Sequence, residues 1–259
     1  MKHVLLSNDD GIDAHGINLV ADILAERDDL RVTIVAPTEQ QSASSHSLTL
    51  RVPLRVVEYG PDRYGVTGTP TDCVLVAMEY LLKDDRPDLV ISGVNHGANM
   101  GEDVTYSGTV AAALEGAILG LPSYALSCSS WHPKDWGATE AFLRHHLDDL
   151  LGVPLERHSL LNVNIPDIPA DQVKGIRATP LGSRRYTDAI TEQVDPRGRP
   201  YLWIGGSGPT WDEIPGTDAT LNLDGYVVVT PLRVDLTHHD LMERSRALDT
   251  DGPLGSGAS

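Results

Sequence analysis

Short apolar runs alternate with segments of helical periodicity through the first half of the chain. The strand-length apolar runs lie at residues 4–6, 31–37, 87–95 and 122–127. Apolar positions recur at helical spacing in residues 16–27, 71–82 and 107–120. A strand–helix alternation of this kind predicts a parallel sheet covered by helices on both faces. The run at 87–95 is almost wholly apolar, which is typical of a strand buried on both sides.

The pattern changes in the last third of the chain. Two β-prone runs around the turn DPRGRP predict a hairpin over residues 183–206, and further patterns predict a strand over 225–232 and an amphipathic helix over 238–249. We therefore expect one domain over residues 1–249, with a core of about 1–165 and a hairpin and C-terminal arm of about 166–249. The arm is interpreted as an oligomerisation element or a lid, or else as a simple extension of the sheet. The Gly/Ser-rich residues 250–259 predict a disordered tail.

Composition narrows the class of protein. The 259 residues carry a formal net charge of −17, with 41% hydrophobic and 22% charged residues. So acidic a chain without a basic patch is not expected to bind a nucleic-acid polymer. No apolar run reaches the roughly 20 residues that span a bilayer, and the N-terminus does not resemble a signal peptide. Cys73 and Cys128 show no CxxC spacing, so we expect reduced core thiols and a cytoplasmic protein without membrane partners.

The first predicted strand ends in the sequence SNDDG, which places Asp9 and Asp10 side by side. One interpretation is an ordinary type I turn closed by Gly11. The other is a cation site, because a bound cation relieves the repulsion between two adjacent carboxylates. Oxygen ligands without a neighbouring His or Cys favour Mg²⁺, Mn²⁺ or Ca²⁺ over Zn²⁺. In an acidic chain, such a cation also allows an anionic substrate to bind.

Polar loops also follow the second and a later strand. The loop QQSASSHS contains Ser42 and His46 and is either a hydrophilic connector or a source of hydroxyl ligands and an acid. The loop SGVNHGANMG supplies the amides of Asn95 and Asn99. Because ligands bind at the carboxyl ends of parallel strands, we expect these loops to converge with SNDDG on one crevice.

The Ala-rich helix is preceded by Ser107, Gly108 and Thr109. This triplet is either a plain N-cap or an anion site, since the first N–H groups of a helix attract negative charge. The sequence has neither GxGxxG after a strand nor a Walker A motif. Near residues 68–72, GTPTD either borders a base-binding site or caps the helix over 71–82, with Thr71 or Asp72 as the N-cap.

Six segments together carry a resemblance to a known family. They are NDDGIDAHGI, QSASSHSLTL, VTGTPTDCV, DLVISGVNHGANMGEDVTYSGTVAAALEGA, LNVNIP and GYVVVTPL. Their order and spacing resemble those of the SurE (survival protein E) phosphatases, from residue 2 to about residue 235. The resemblance implies a three-layer α/β/α, Rossmann-like, mostly parallel sheet with a C-terminal hairpin and helical arm. It also implies a 5′-nucleotidase that hydrolyses nucleoside 5′-monophosphates, with 3′-nucleotides and short polyphosphate as further substrates.

The resemblance also implies roles for individual residues. One divalent ion per subunit, Mg²⁺ or Mn²⁺, is expected on the ligands Asp9, Asp10, Ser42 and Asn95. The phosphate is expected at Asn99, Ser107, Gly108 and Thr109, and His46 is expected to line the site. The family also implies a homodimer or a homotetramer, and the sequence leaves both open.

Two departures from the family pattern remove positive charge at the entrance. The residues before Ser42 read TEQQ, where basic residues are common in the family, and position 96 is His where Arg is frequent. Fewer cationic groups are therefore expected to face the entrance, which disfavours the binding of polyanions. The phosphatase chemistry does not depend on these positions.

The expected reaction is an in-line attack of water on phosphorus, with Asp9 or Asp10 accepting a proton and His46 protonating the leaving oxygen. One rival is a haloacid-dehalogenase-type phosphatase, whose two carboxylates are separated by one residue and not adjacent as here. A second rival is a nucleotide sensor without catalytic activity. Phosphate release from AMP or GMP separates an enzyme from a sensor.

Overall fold

A computed structural model of the protein describes residues 1–185, 190–204 and 210–249. Within these ranges the strands are β1 (Lys2–Ser7), β2 (Leu30–Pro37), β3 (Val56–Gly60), β4 (Arg63–Val66), β5 (Leu89–His96), β6 (Ser123–Cys128), β7 (Ser159–Ile165), β8 (Ile176–Ala178), β9 (Arg184–Arg185), β10 (Ile190–Val194), β11 (Pro200–Ile204), β12 (Thr210–Trp211) and β13 (Val227–Arg233). The α-helices are α1 (His15–Ala25), α2 (Pro70–Val76), α3 (Gly108–Ile118), α4 (Gly137–His145), α5 (Leu147–Leu151), α6 (Asp218–Leu223) and α7 (His239–Ser245).

A nine-stranded sheet forms the centre of the protein, in the order β3-β4-β2-β1-β5-β6-β7-β13-β8. Neighbouring strands are parallel except at the pairs β3–β4 and β7–β13. From β1 the chain passes to β2 on one side and later returns to β5 on the other. The topological switch point therefore lies between the carboxyl ends of β1 and β5, which is where such sheets bind ligands.

Helices cover both faces of the sheet. Val4 and Leu6 point into a core that includes residues of α1 and α4, whereas Leu5 between them points into the core beneath α2. All three side chains are fully buried. The alternation follows from the two-residue period of a strand, and it produces the three layers expected from the apolar pattern.

The main elements expected from the sequence are confirmed, with one correction at the start of α2. The N-cap is Thr69 and not Thr71 or Asp72. The Thr69 hydroxyl accepts the Asp72 N–H at 3.1 Å, and the Asp72 carboxylate accepts the Thr69 N–H at 2.9 Å. This capping box places Pro70 at the first helical position, where its missing N–H costs nothing. The GTPTD segment therefore caps the helix.

The C-terminal part of the chain combines a hairpin with additional strands of the main sheet. β10 and β11 form the expected hairpin, and their side chains, Trp203 among them, are largely exposed. β13 pairs with β7 and with β8, so this part of the chain also extends the sheet.

The division into a core and an arm stays a prediction, and the predicted tail at 250–259 lies outside the described residues. Within the described ranges, no helix combines the length and apolarity of a membrane span.

The contact of α1 with β5 yields a testable prediction. A Cβ built on Gly16 would lie 1.9 Å from the carbonyl oxygen of Val94. Gly16→Ala, which normally stabilises a helix, should here lower the free energy of unfolding by roughly 1–3 kcal/mol in a urea titration. Asp22→Ala on the exposed face of the same helix should stay within about 0.5 kcal/mol of the wild type. A Gly16→Ala protein that is as stable as the wild type would show that α1 does not pack this closely.

Candidate metal and phosphate site

The two carboxylates after β1 are tied to two different elements. The Thr109 hydroxyl at the start of α3 donates to Asp9 Oδ1 at 2.5 Å, and both residues are buried. The backbone N–H of His96, at the end of β5, donates to Asp10 Oδ2 at 3.0 Å. Asp9 and Asp10 therefore lie at the switch point, between the N-terminus of α3 and the end of β5.

Burial makes the charged forms of both carboxylates costly. Desolvation raises the pKa of Asp9 to about 6, the neighbouring charge of Asp10 adds to the rise, and the hydrogen bond from Thr109 opposes it. Desolvation also raises the pKa of Asp10, against hydrogen bonds from the His96 N–H and the Gln40 side chain. Two adjacent carboxylates with raised pKa values form a place where a cation is stabilising.

The N-terminus of α3 touches Asp9 directly. The Ser107 hydroxyl accepts the Val110 N–H at 3.0 Å and so acts as the N-cap. A Cβ on Gly108 would lie 2.7 Å from Asp9 Cβ and 2.9 Å from both Asp9 Oδ2 and Ser44 Oγ. Only glycine therefore allows the first turn of α3 to approach Asp9 this closely, and this approach joins the predicted metal and phosphate residues.

Two buried oxygens beside the carboxylates have no hydrogen-bond partner among the described residues. They are Asn8 Oδ1 and Ser44 Oγ. An unsatisfied buried oxygen is costly, and at a ligand site it is commonly the atom that the ligand contacts. The sequence offered Ser44 only as one serine among four in its loop, and no local signal separates it from the others. Its position depends on the packing of that loop against Gly108.

The two neutral ligands expected from the sequence lie at the same sheet edge but differ in burial. Asn95 is buried, and its Nδ2 donates to the Gly97 carbonyl at 2.7 Å, which leaves the amide oxygen available to a cation. Ser42 is exposed, and its hydroxyl accepts from Gln40 Nε2 at 3.0 Å. Because Gln40 also hydrogen-bonds to Asp10, it links Ser42 to the carboxylate pair.

Asn99, expected to hold the phosphate, belongs to a buried network of polar side chains. Its Nδ2 donates to Ser127 Oγ at 2.8 Å, and its backbone N–H donates to Asn164 Oδ1 at 2.8 Å. Its carbonyl accepts from the side chains of Asn162 and Asn164. These bonds fix the loop after β5, and sequence reasoning did not identify Asn162 and Asn164 because they lie more than 60 residues away.

The ring of His46 contacts a carboxylate in α3. Its Nε2 pairs with Glu115 Oε2 at 2.8 Å. Glu115 follows Gly108 by seven positions on α3, which is about 10 Å along the helix axis. The contact with Glu115 therefore does not favour the predicted role of His46 as the acid at the leaving group.

The residues present fit a hard divalent cation. The donors around the switch point are two carboxylates, an amide oxygen and hydroxyls, which are the ligands that Mg²⁺ and Mn²⁺ prefer. Within the described ranges, no group of three or more His, Cys, Asp and Glu side chains is arranged to hold a metal. Asn95 and the serines would therefore have to complete any coordination begun by Asp9 and Asp10.

The fold and the position of its polar loops define the class of this protein. It is a Rossmann-like α/β protein with oxygen-bearing side chains at the switch point of its sheet. The chain belongs to the SurE family, because residues 4–188 match the family described as Survival protein SurE.

Individual relatives agree with this membership. The chain is 49% identical over 249 residues to the 5′-nucleotidase SurE of Gemmatimonas aurantiaca, covering 93% of this chain and 96% of that protein. It is 48% identical over 237 residues to the 5′-nucleotidase SurE of Vibrio cholerae serotype O1, covering 92% of this chain and 93% of that one. The crystal structure of the SurE protein from Aquifex aeolicus superposes with a TM-score of 0.82 at 38% identity, covering 95% of this chain and 99% of that one.

The raised pKa of Asp9 yields a pH-dependent prediction for the metal-free protein. Because the folded-state pKa of about 6 exceeds the unfolded value near 4, the contribution of Asp9 to stability is greatest below about pH 4 and is lost as the pH rises through about 6. Asp9→Asn removes this loss and retains an acceptor for Thr109. In EDTA at pH 8, the variant should exceed the wild type by roughly 1–3 kcal/mol in urea unfolding, and the difference should vanish near pH 4. If the wild type and Asp9→Asn were equally stable at pH 8 as well as at pH 4, Asp9 would not carry a destabilising buried charge.

Proposed function

We propose that the chain is a divalent-metal-dependent 5′-nucleotidase that hydrolyses nucleoside 5′-monophosphates to a nucleoside and phosphate. The observation that carries the proposal is the buried hydrogen bond from Thr109 to Asp9, which joins a carboxylate pair to the N-terminus of a helix. The names of the Gemmatimonas and Vibrio relatives support the same activity. A cation beside Asp9 and a phosphate at α3 would then be neighbours.

Asp9, Asp10, Asn95 and Ser42 would hold the metal ion. A bound divalent ion supplies positive charge that polarises a phosphoryl oxygen and favours attack by water. Asp9 and Asp10 orient the reacting groups from one side, and the bonds from Thr109 and His96 keep the two carboxylates in fixed positions. Either Mg²⁺ or Mn²⁺ suits these oxygen donors.

The first turn of α3 would receive the phosphate. The N–H groups of Gly108 and Thr109 open the first turn of α3 and form the positive end of the helix dipole, and the Thr109 N–H also donates to the Asp9 carboxylate. Donors fixed in this way stabilise the charge that develops on the phosphoryl oxygens during the reaction. The unpartnered Ser44 hydroxyl adds a further donor on the same side. Asn99 would act at the edge of this group, with its orientation set by Ser127.

Asp9 or Asp10 would accept the proton of the attacking water. A carboxylate that ligates the metal ion is a weak base, because the cation stabilises its charged form. The pKa of about 6 that burial gives Asp9 belongs to the metal-free protein. The proposal includes 3′-nucleotides and short polyphosphate as further substrates. TEQQ and His96 supply no fixed positive charge to bind a polyanion.

A homodimer or homotetramer assembled through the arm also belongs to the proposal. The hairpin of β10 and β11 exposes apolar side chains on strands that pair only with each other among the described residues. Exposed apolar strands of this kind are typical of surfaces that a second chain covers.

Replacing Asp10 tests the metal-dependent reaction. Asp10→Asn should lower the rate of phosphate release from AMP with Mn²⁺ by a factor on the order of 10² or more, because one of two charged ligands is lost. The measurement is inorganic phosphate released from a set of nucleotides across divalent metals. Asp13→Asn, an exposed carboxylate three residues away, should retain the wild-type rate. Near-normal turnover of Asp10→Asn with Mn²⁺ would refute the site. A trapped phosphoenzyme would instead favour the haloacid-dehalogenase-type mechanism.

The contact between His46 and Glu115 makes a second prediction. A general acid at the leaving group matters for AMP but little for p-nitrophenyl phosphate, whose leaving group needs no proton. Since the His46 ring is held by Glu115, we expect His46→Gln to change kcat for the two substrates by similar, small factors. A selective fall of roughly 100-fold for AMP alone would restore His46 as the acid.

A further inference from the structure

An exposed tryptophan stands beside the candidate site. Trp131 lies three residues after β6, in the loop that joins β6 to α4, and 60% of its side chain is exposed. β6 is parallel to β5, and Cys128 at its end pairs in register with His96. The Trp131 loop therefore leaves the sheet at the same carboxyl edge as the loop that contains Asn95 and Asn99.

The indole of Trp131 presents its face to Gly97. A Cβ on Gly97 would lie 3.2, 3.3 and 3.3 Å from Cδ2, Cε2 and Cε3 of Trp131. A point can be nearly equally distant from Cδ2 and from two of the atoms bonded to it, at about 3.3 Å, only if it lies above the ring plane. Gly97 sits midway between Asn95 and Asn99, and its φ of +119° also favours glycine. The loop after β5 therefore covers one face of the ring. The solvent-exposed area of Trp131 belongs largely to the parts of the indole that this loop does not cover.

The backbone around this ring is held in place. Gly97 N–H donates to the Cys128 carbonyl at 2.9 Å, so the surface under the indole is tied to β6. Further along the loop, the N–H groups of Lys134 and Asp135 donate to the Asp167 carboxylate at 3.1 and 3.0 Å. Because both ends of the loop are fixed, little conformational entropy is lost when a ligand stacks on Trp131.

We propose that Trp131 stacks on the nucleobase of the bound nucleotide and so distinguishes nucleotides from other phosphate esters. The inference rests on the proposed 5′-nucleotidase activity and adds the group that recognises the base. Aromatic faces stack on every base without needing its hydrogen-bond pattern. In a chain with a net charge of −17, a neutral stacking surface binds the uncharged base without meeting the repulsion that the phosphate meets.

The test compares AMP with ribose 5-phosphate, which keeps the sugar and phosphate but lacks the base. Trp131→Ala should raise KM for AMP by roughly 5- to 150-fold, the range that the loss of one base–aromatic stack produces. The kinetics with ribose 5-phosphate should not change. Trp131→Phe, which keeps an aromatic face, should restore most of the AMP affinity. Tyr80→Ala removes an aromatic side chain that is 69% exposed near the opposite edge of the sheet, and it should change neither substrate.

Equal losses for AMP and ribose 5-phosphate, or no change for AMP, would overturn the proposal. Calorimetric titration with adenosine keeps this test separate from the proposed activity, because adenosine has no phosphate to lose. The wild type should bind adenosine and Trp131→Ala should bind it at least about fivefold more weakly. If no substrate releases phosphate but adenosine binding still depends on Trp131, the nucleotidase proposal fails and the stacking site stands. If adenosine binding is the same in both proteins, the stacking site fails regardless of activity.

Discussion

The buried contact between Asp9 and Thr109 is the constraint on which the site depends. It places a carboxylate with a neighbouring carboxylate in an environment that disfavours charge, as the raised pKa of Asp9 records. This cost is partly offset, because the N-terminus of α3, the Thr109 hydroxyl and the His96 N–H all direct partial positive charge at the pair. The absence of a Cβ at Gly108 lets the helix approach closely enough to do so. A divalent cation would remove the remaining repulsion.

This local arrangement resolves the conflict between an acidic chain and an anionic substrate. The net charge of −17 repels a phosphate at long range, and the entrance loop TEQQ adds no positive charge. Attraction must therefore come from groups within contact distance: a cation on Asp9 and Asp10, and the N–H groups that open α3. Stacking on Trp131 would add binding energy that does not depend on charge. The three groups lie along one edge of the sheet, at the ends of β1, β5 and β6.

The fold was largely predictable from the sequence, because apolar residues recur with the spacing of strands in β1, β2, β5 and β6 and with that of helices in the segments between them. The N-cap of α2 was misplaced because the capping box begins before Pro70, outside the apolar pattern. Asp9 and Asp10 were recognisable as candidates because they are adjacent, and the opening of α3 because Ser107, Gly108 and Thr109 form one triplet before an Ala-rich segment. Ser44, Asn162 and Trp131 were not, because only the packing of distant segments sets one serine, one asparagine or one tryptophan apart from the others. The pairing of His46 with Glu115 was not predicted for the same reason, because the two residues are 69 positions apart.

Asp9 and Asp10 are proposed to form one divalent-cation site in each chain. Calorimetric titration of Mn²⁺ into the metal-free protein at pH 8 tests this site without relying on turnover. We expect one ion bound per chain in the wild type and no binding at the same concentrations in an Asp9→Asn, Asp10→Asn double variant. Mn²⁺ binding of unchanged affinity and stoichiometry in the double variant would contradict it.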